Sequence, residues 1–317
     1  MSIIEQAARR LEQLRNSGIE VTPRTETMAT PVAIDSLPAR AARRLEEAQV
    51  PAAPPPAAHR PTPVAERAPR VNGTHRSKVV EVDLARLAAM GYLSPDAGRS
   101  QVADDFRVIK RQLLAYARDK AASRSANLVM VTSSLPEEGK TFVAVNLAMS
   151  IAMEVDHTVL LVDADVSRPS VLSRLGVPPS GGLLDVLADP SIDLSDVMLR
   201  TNIDKLSLLP AGAPRAHATE MLSSENMDRL LSDLATRYSD RIIVFDAPPL
   251  LPSTESRVVA TRMGQVILVV EAKRTPQRAV VQALSTIEDC PVVLPLLNKA
   301  SRSEVGLYYG YYGLDER

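Results

Sequence analysis

The sequence predicts an α/β fold, a mostly parallel sheet flanked by helices, and three observations carry that expectation. From Asn127 onward, short apolar runs alternate with segments of helical spacing. Some runs are apolar throughout, as in Thr158-Val159-Leu160-Leu161-Val162, the pattern of a strand buried on both faces of a parallel sheet. Three of the runs are followed at once by a polar loop or an Asp, which gathers polar groups at the carboxyl ends of the strands, where such sheets bind ligands.

Composition sets the outer limits. A chain of 317 residues has room for about two domains, and its net charge of −1 argues against a nucleic-acid backbone as the main partner. The single cysteine, Cys290, has no partner for an intramolecular disulfide and fits a reducing compartment, or more plainly a small buried strand residue. No apolar run is long enough to cross a bilayer, and residues 1–20 carry Glu and Arg throughout where a signal peptide would be apolar. The expected location is cytoplasmic, with any membrane association made through a partner.

Residues 1–76 hold ten of the 24 prolines and none of the aromatic residues, too little to build a core, and read as a disordered arm. Pro51-Ala52-Ala53-Pro54-Pro55-Pro56 is an extended spacer. Ile4, Ala7, Leu11 and Leu14 share one face of a short helix, and Ala7-Ala8-Arg9-Arg10-Leu11-Glu12 recurs as Ala41-Ala42-Arg43-Arg44-Leu45-Glu46. These are two partner-docking helices or two solvated, transiently helical patches.

Order is expected to begin near Lys78, with Val80, Val82 and Leu84 alternating. Residues 77–126 form a helical segment whose main helix runs from Gln101 to Lys120, with Val102, Phe106, Ile109, Leu113 and Tyr116 near 3.6 spacing. Its polar face carries Asp104, Arg107, Lys110 and Arg111.

A domain over 127–304 follows, with six expected strands. Asn127–Thr132 leads into the loop at 133–141, and a helix runs from Lys140 to about Met153. Thr158–Val162 ends at Asp163-Ala164-Asp165, and Leu206–Leu209 ends at Pro210-Ala211-Gly212. A helix over about Glu225–Tyr238 precedes Ile242-Ile243-Val244-Phe245-Asp246. Val266–Val270, a helix over about Pro276–Glu288, and Val292–Leu297 ending at Asn298 complete the set.

Val131-Thr132-Ser133-Ser134-Leu135-Pro136-Glu137-Glu138-Gly139-Lys140-Thr141-Phe142 reads as strand, tight loop and helix start. In a P-loop, backbone N–H groups wrap phosphates, a Lys reaches the β- and γ-phosphates and a Ser/Thr hydroxyl ligates Mg²⁺. Gly139, Lys140 and Thr141 fit these roles, although Ser134 stands where the formal pattern has Gly. Any single strand-end Asp is unsurprising as a cap or turn residue. Asp163, Asp165 and Asp246 beside a phosphate loop together point to a Mg²⁺–nucleotide site, because Mg²⁺ keeps several waters and takes few direct protein ligands. ATP and Mg²⁺ are the expected cofactors.

The segments 132–141, Leu161-Val162-Asp163-Ala164-Asp165-Val166-Ser167-Arg168-Pro169 and Ile243-Val244-Phe245-Asp246-Ala247-Pro248-Pro249 resemble the three Walker motifs of the bacterial tyrosine kinases (BY-kinases), on a P-loop NTPase architecture of MinD/ParA-like type. The resemblance covers roughly residues 78–317 and is nearest to the autokinases of exosortase-linked exopolysaccharide clusters, among which Ser at the first P-loop position is common. It implies an ATP-dependent protein-tyrosine autokinase that regulates exopolysaccharide synthesis or export. It implies further that Lys140 is a phosphate ligand, that Ser134, Leu135, Pro136, Glu137, Glu138, Gly139 and Phe142 belong to the nucleotide loop, and that Thr141, Asp163 and Asp246 serve the metal. Asp163 or Asp165 is the candidate base for the phenolic proton. Asn298, with Lys299, is placed near adenine or as a strand-end cap. Asp104, Arg107 and Lys110 align with the family's oligomerisation motif, with only the Arg identical, and imply a ring-like homo-oligomer. A polysaccharide co-polymerase-type (chain-length-determinant) membrane protein is the implied activator, which would hold the chain peripherally at the inner membrane. Ser167 and Glu255 depart from the family pattern.

Four of the seven tyrosines, Tyr308, Tyr309, Tyr311 and Tyr312, lie within the closing segment 305–317, interleaved with Gly306, Gly310 and Gly313. They are the expected phosphoacceptors, phosphorylated in trans. The other readings are a MinD/ParA-like ATPase switch, against which stands the lack of an early Lys in Ser133-Ser134-Leu135, and a nucleotide-binding scaffold without kinase activity.

Overall fold

The structure, a computed structural model, describes residues 77–301 apart from 96–99, 120–122, 124 and 238–239. The arm over 1–76 and the tyrosines at 308, 309, 311 and 312 lie outside the described residues.

The N-terminal segment contributes β1 (Lys78–Val80), α1 (Leu84–Ala89) and α2 (Gln101–Arg118). Then come β2 (Leu128–Ser133), α3 (Lys140–Ala152), β3 (Thr158–Asp163), α4 (Val171–Leu175), α5 (Leu183–Ala188) and α6 (Leu194–Val197). The antiparallel pair β4 (Leu199–Thr201) and β5 (Leu206–Leu209) is followed by α7 (Ala218–Leu222) and α8 (Glu225–Arg237). The chain closes with β6 (Arg241–Asp246), α9 (Thr254–Ala260), β7 (Gln265–Glu271), α10 (Gln277–Ser285) and β8 (Val292–Asn298).

All strands join one sheet in the order β1-β4-β5-β3-β6-β2-β7-β8, and every neighbouring pair except β4–β5 is parallel. The chain leaves the inner strand β2 toward β3 on one side and reaches β7 on the other. Such a reversal opens a crevice at the carboxyl ends of the strands. The register sets Asp163 of β3 directly beside Asp246 of β6, so parallel pairing alone brings these two side chains together.

Each helical layer has its own core. Along β2, Val129 and Val131 face α1, α2 and α3, while Leu128 and Met130 face α5, α8, α9 and α10, although all six residues of β2 are buried. That is the period-2 alternation of a strand between two layers. Helix α3 lies between sheet and α2, and every residue from Val143 to Ala152 is buried, which explains its apolar composition on all sides. Helix α2 is amphipathic, with Phe106, Leu113 and Leu114 inward, and Ser100 caps it by accepting from the Ala103 N–H at 3.2 Å.

Among the described residues eight strands are present where six were expected. The two others, β1 and β4, are three residues long, too short for a periodic signal, and pair with each other. Helices α2 and α10 stop at Arg118 and Ser285, short of the expected Lys120 and Glu288. Among the described residues no helix is long and apolar enough to cross a membrane.

Lys110 corrects the grouping of three charged residues on α2. Asp104 and Arg107 pair with each other at the surface. Lys110 is buried, donates to the Ser150 carbonyl at 2.7 Å and meets the Glu154 carboxylate at 2.7 Å. Its spacing put it on the solvated face, but α3 covers that position and uses the ammonium to close its own C-terminal turn.

Candidate active site

The loop between β2 and α3 owes its shape to two left-handed residues. Gly139 has φ of 97°, a left-handed conformation that favours glycine, and a Cβ there would also stand 2.1 Å from Asn298 Nδ2 and displace that side chain. Glu137 adopts φ of 67° with a full side chain, a conformation that ordinarily favours glycine. Glu138 turns into the loop and is buried. One carboxylate oxygen accepts from the Leu135 N–H at 2.8 Å, and the other takes the Thr275 hydroxyl, whose oxygen accepts from the Glu271 N–H at 3.0 Å. From β8, the Asn298 amide donates to the Glu138 carbonyl at 2.9 Å and Lys299 Nζ to the Glu137 carbonyl at 2.8 Å. The phosphate loop is thus braced from the ends of β7 and β8. Ser134, at the loop's first position, is buried and its hydroxyl has no hydrogen-bond partner.

Three carboxylates meet this loop, in three different states. Asp165 pairs through Oδ2 with Lys140 Nζ at 2.6 Å, and Oδ1 accepts from the Arg168 N–H at 3.2 Å. Asp163 Oδ2 accepts from the N–H groups of Ser170 and Val171 at 2.9 and 3.0 Å, which fixes the start of α4, while its Oδ1 is buried without a partner. Neither oxygen of fully buried Asp246 makes a well-formed hydrogen bond. Burial, reinforced by the neighbouring Asp246 charge, pushes the Asp163 carboxyl up to about 7. Burial likewise raises Asp246 to about 6, against the pull of Lys140 and the nearby Thr141 hydroxyl. Two buried carboxylates in register at adjacent strand ends, three of their four oxygens unsatisfied, want a cation.

Among the described residues no three or more His, Cys, Asp and Glu converge as a metal cage. The donor set is of another kind: the Thr141 hydroxyl, 3.2 Å from that of Ser170, together with the unsatisfied oxygens of Asp163 and Asp246. It fits Mg²⁺, a hard cation that takes one or two protein oxygens and completes its shell with phosphate and water.

Lys140, Thr141 and Asp165 open onto a cleft of about 960 Å³, together with Pro136, Glu137 and Gly139. Sequence reasoning grouped these residues in one site with Asp163 and Asp246, and the structure brings them together. It missed the walls. Met90 and Tyr92, from the turn after α1, line the cleft with Phe142, and Tyr92 packs on Phe142 at a centroid distance of 5.0 Å. Pro248, Pro249 and Pro252 line it as well, and Arg168, Arg174 and Lys299 supply positive charge. Tyr92 carried one usable signal: it is the first aromatic residue of the chain, next to Gly91 in a segment otherwise read as helical. Thr275 carried none, because its bond to Glu138 spans 137 positions. Asn298 contacts the phosphate loop itself.

The sequence matches the AAA domain family over residues 137–294. It is 30% identical over 226 residues to the succinoglycan biosynthesis transport protein ExoP of Rhizobium meliloti, covering 70% of this chain but only 28% of ExoP. It is 28% identical over 194 residues to the tyrosine-protein kinase YwqD of Bacillus subtilis, covering 61% of this chain and 80% of YwqD. Among solved structures, the VpsO kinase domain aligns with a TM-score of 0.53 at 30% identity, over 63% of this chain and 95% of that one.

Proposed function

The chain belongs to the bacterial tyrosine kinase (BY-kinase) family, and from that premise we propose that it is an ATP-dependent protein-tyrosine autokinase whose acceptors are Tyr308, Tyr309, Tyr311 and Tyr312. The observation that carries the reading is the Lys140–Asp165 contact, both residues lining the cleft, with the paired carboxyls of Asp163 and Asp246 buried at the neighbouring strand ends. Lys140, proposed as phosphate ligand, and Asp165, proposed as base, lie within one hydrogen bond of each other, which supports the reading.

The chemistry divides among the residues as follows. Lys140 leaves Asp165 for the β- and γ-phosphates of ATP, and the N–H groups at the start of α3 face the same oxygens. Release of Lys140 frees the Asp165 carboxylate, which opens to the cleft. Asp163, held by two backbone N–H groups and raised toward neutrality, is the poorer candidate for meeting substrate. The acceptor phenol oxygen attacks the γ-phosphorus, the bond to the β-phosphate oxygen breaks, and the phenolic proton passes to Asp165. Thr141 and Asp246, with Asp163, would hold Mg²⁺, which supplies neutralisation of the phosphate charge. Donors fixed in place before the reaction supply most of the stabilisation in such a site.

Trans phosphorylation within a homo-oligomer is part of the proposal, with Asp104 and Arg107 as surface candidates for the contact. So are a role in exopolysaccharide synthesis or export and a membrane-bound polysaccharide co-polymerase as activator. The printed name of ExoP, a succinoglycan biosynthesis transport protein, supports that setting. Phosphates on one tail repel one another, each adding about −1.5 to −2 charges, so the modification would loosen an assembly held by tail insertion.

The test compares ATP consumption with phosphotyrosine formation in the full chain and in Lys140→Met, with mass spectrometry of residues 305–317. Phosphotyrosine on the tail that vanishes with the substitution supports the kinase. ATP loss without phosphotyrosine means an ATPase switch, and nucleotide binding alone means a scaffold.

A further inference from the structure

We propose that Thr275 is a positioning residue for nucleotide capture, acting through the buried carboxylate of Glu138 on the shape of the phosphate loop. This presupposes only the nucleotide binding of the kinase reading, and Thr275 lies outside the three segments that resemble Walker motifs.

The turn from β7 into α10 presents the hydroxyl. The N–H groups of Arg274 and Thr275 donate to the Glu271 carbonyl at 3.4 and 3.1 Å, and the Ala272 N–H donates to the Asn298 carbonyl on β8 at 2.9 Å. The Glu271 N–H donates to the Thr275 hydroxyl oxygen at 3.0 Å. With that N–H aimed at the oxygen and a carboxylate accepting opposite, the hydroxyl proton has one direction, toward Glu138. Glu138 is 2% exposed and receives this proton on one oxygen and the Leu135 N–H on the other, at 2.8 Å. A backbone N–H of the sheet thus reaches the loop through a hydroxyl and a carboxylate. In a buried setting each bond of such a chain strengthens the next.

The chain of bonds opposes backbone strain. Glu138 sits between Glu137 at φ of 67° and Gly139 at φ of 97°. A non-glycine residue in the left-handed region persists only where its surroundings over-determine it. The Asn298 amide and Lys299 Nζ hold the carbonyls of Glu138 and Glu137, but only Thr275 and the Leu135 N–H hold the carboxylate. The ion pair of Arg274 with Glu137, at 3.8 Å, is exposed on both sides and adds little. Without the Thr275 hydroxyl, one oxygen of a buried carboxylate is left bare, which costs more than a lost surface bond. The side chain then turns toward water and brings its negative charge nearer the phosphates, and the strained turn before Lys140 relaxes with it. Thr275 touches neither Lys140 nor Asp165, so the quantity it controls is nucleotide affinity rather than the transfer step.

The experiment uses the full chain as parent, Thr275→Val, Thr275→Ser, Glu138→Ala and the Glu138→Ala, Thr275→Val double variant. Calorimetry gives the Kd of ADP and of a non-hydrolysable ATP analogue with Mg²⁺, and phosphotyrosine formation gives kcat and the KM for ATP. Hydrogen exchange without nucleotide follows the loop at Leu135. Thr275→Val keeps the shape of the side chain and should raise Kd and KM about tenfold, with kcat within about twofold of the parent and faster exchange at Leu135. Thr275→Ser should restore all of these. In the Glu138→Ala background, Thr275→Val should change Kd by less than about twofold, because its target is gone.

A tenfold loss that persists in the Glu138→Ala background overturns the proposal, as does a serine variant no better than valine. A fall in kcat with Kd unchanged does the same, and so does faster exchange throughout the chain instead of at the loop. Nucleotide binding by Thr275→Val equal to that of the parent overturns this proposal and leaves the kinase reading. A parent that binds nucleotide in a Thr275-dependent way without forming phosphotyrosine overturns the kinase reading and leaves the role of Thr275.

Discussion

Lys140 Nζ lies 2.6 Å from Asp165 Oδ2, so the lysine of the phosphate loop is already neutralised within the chain when a phosphate arrives. The two side chains are 13% and 5% exposed, and their pairing is therefore little screened by solvent. Asp165→Asn should retain nucleotide binding, since it frees Lys140, while phosphotyrosine formation falls by about 10²–10⁴, the usual contribution of a positioned base. Lys140→Met should lower both. Nucleotide affinity by calorimetry and phosphotyrosine by immunoblot read the two effects. Equal loss of binding in both variants would remove Asp165 from the role of base.

The raised carboxyls of Asp163 and Asp246 predict a pH dependence of stability. Their values in the fold, about 7 and about 6, lie above those of the unfolded chain, so between roughly pH 4 and 7 the folded state holds more protons. The stability linked to these groups is present at low pH and is lost as pH rises through 6–7. In chelator without nucleotide, their contribution should make the protein melt lower at pH 8 than at pH 6. Asp246→Asn should raise the pH 8 midpoint by about 2–4 °C per kcal/mol regained, while abolishing phosphotyrosine. A midpoint at pH 8 that drops with Asp246→Asn would contradict the assignment.

Two neighbouring loop residues should respond oppositely to substitution. Glu137→Gly removes a left-handed non-glycine residue and should be neutral or stabilising by about 0.5–1 kcal/mol, with activity kept. Gly139→Ala drives a Cβ into Asn298 and should abolish nucleotide binding. Urea denaturation and nucleotide titration distinguish them.

Lys110→Ala removes the partner of Glu154 and a donor to the Ser150 carbonyl, and should cost about 1–3 kcal/mol in chemical denaturation. If Arg107 lies in an oligomer contact, Arg107→Ala should instead lower the assembly mass by light scattering with little change in stability, because its pair with Asp104 is half exposed. A loss of stability in the Arg107 variant alone would reverse these assignments.

The sheet was legible in the sequence because its inner strands are apolar on both faces and end in polar residues, as at Asp163 and Asp246. Those same ends made the centre of the site legible, since parallel register carries strand-end residues to one edge. What was not legible depends on contacts across long separations. Tyr92 reaches the cleft from before α2, and Thr275 reaches Glu138 from the far side of β7. Lys110 shows the same limit, for a polar stripe on a helix reads as solvated until another helix covers it.

The clasp that β8 places on the phosphate loop has a temporal consequence. Asn298 and Lys299 bond to carbonyls 160 and 162 positions earlier, so during N-to-C synthesis the loop leaves the ribosome well before its brace exists. A nascent or C-terminally truncated chain lacking β8 would carry every Walker residue and still lack the clasp that holds their loop in shape. On the proposed kinase reading, the completeness of translation thereby becomes a condition for phosphate capture.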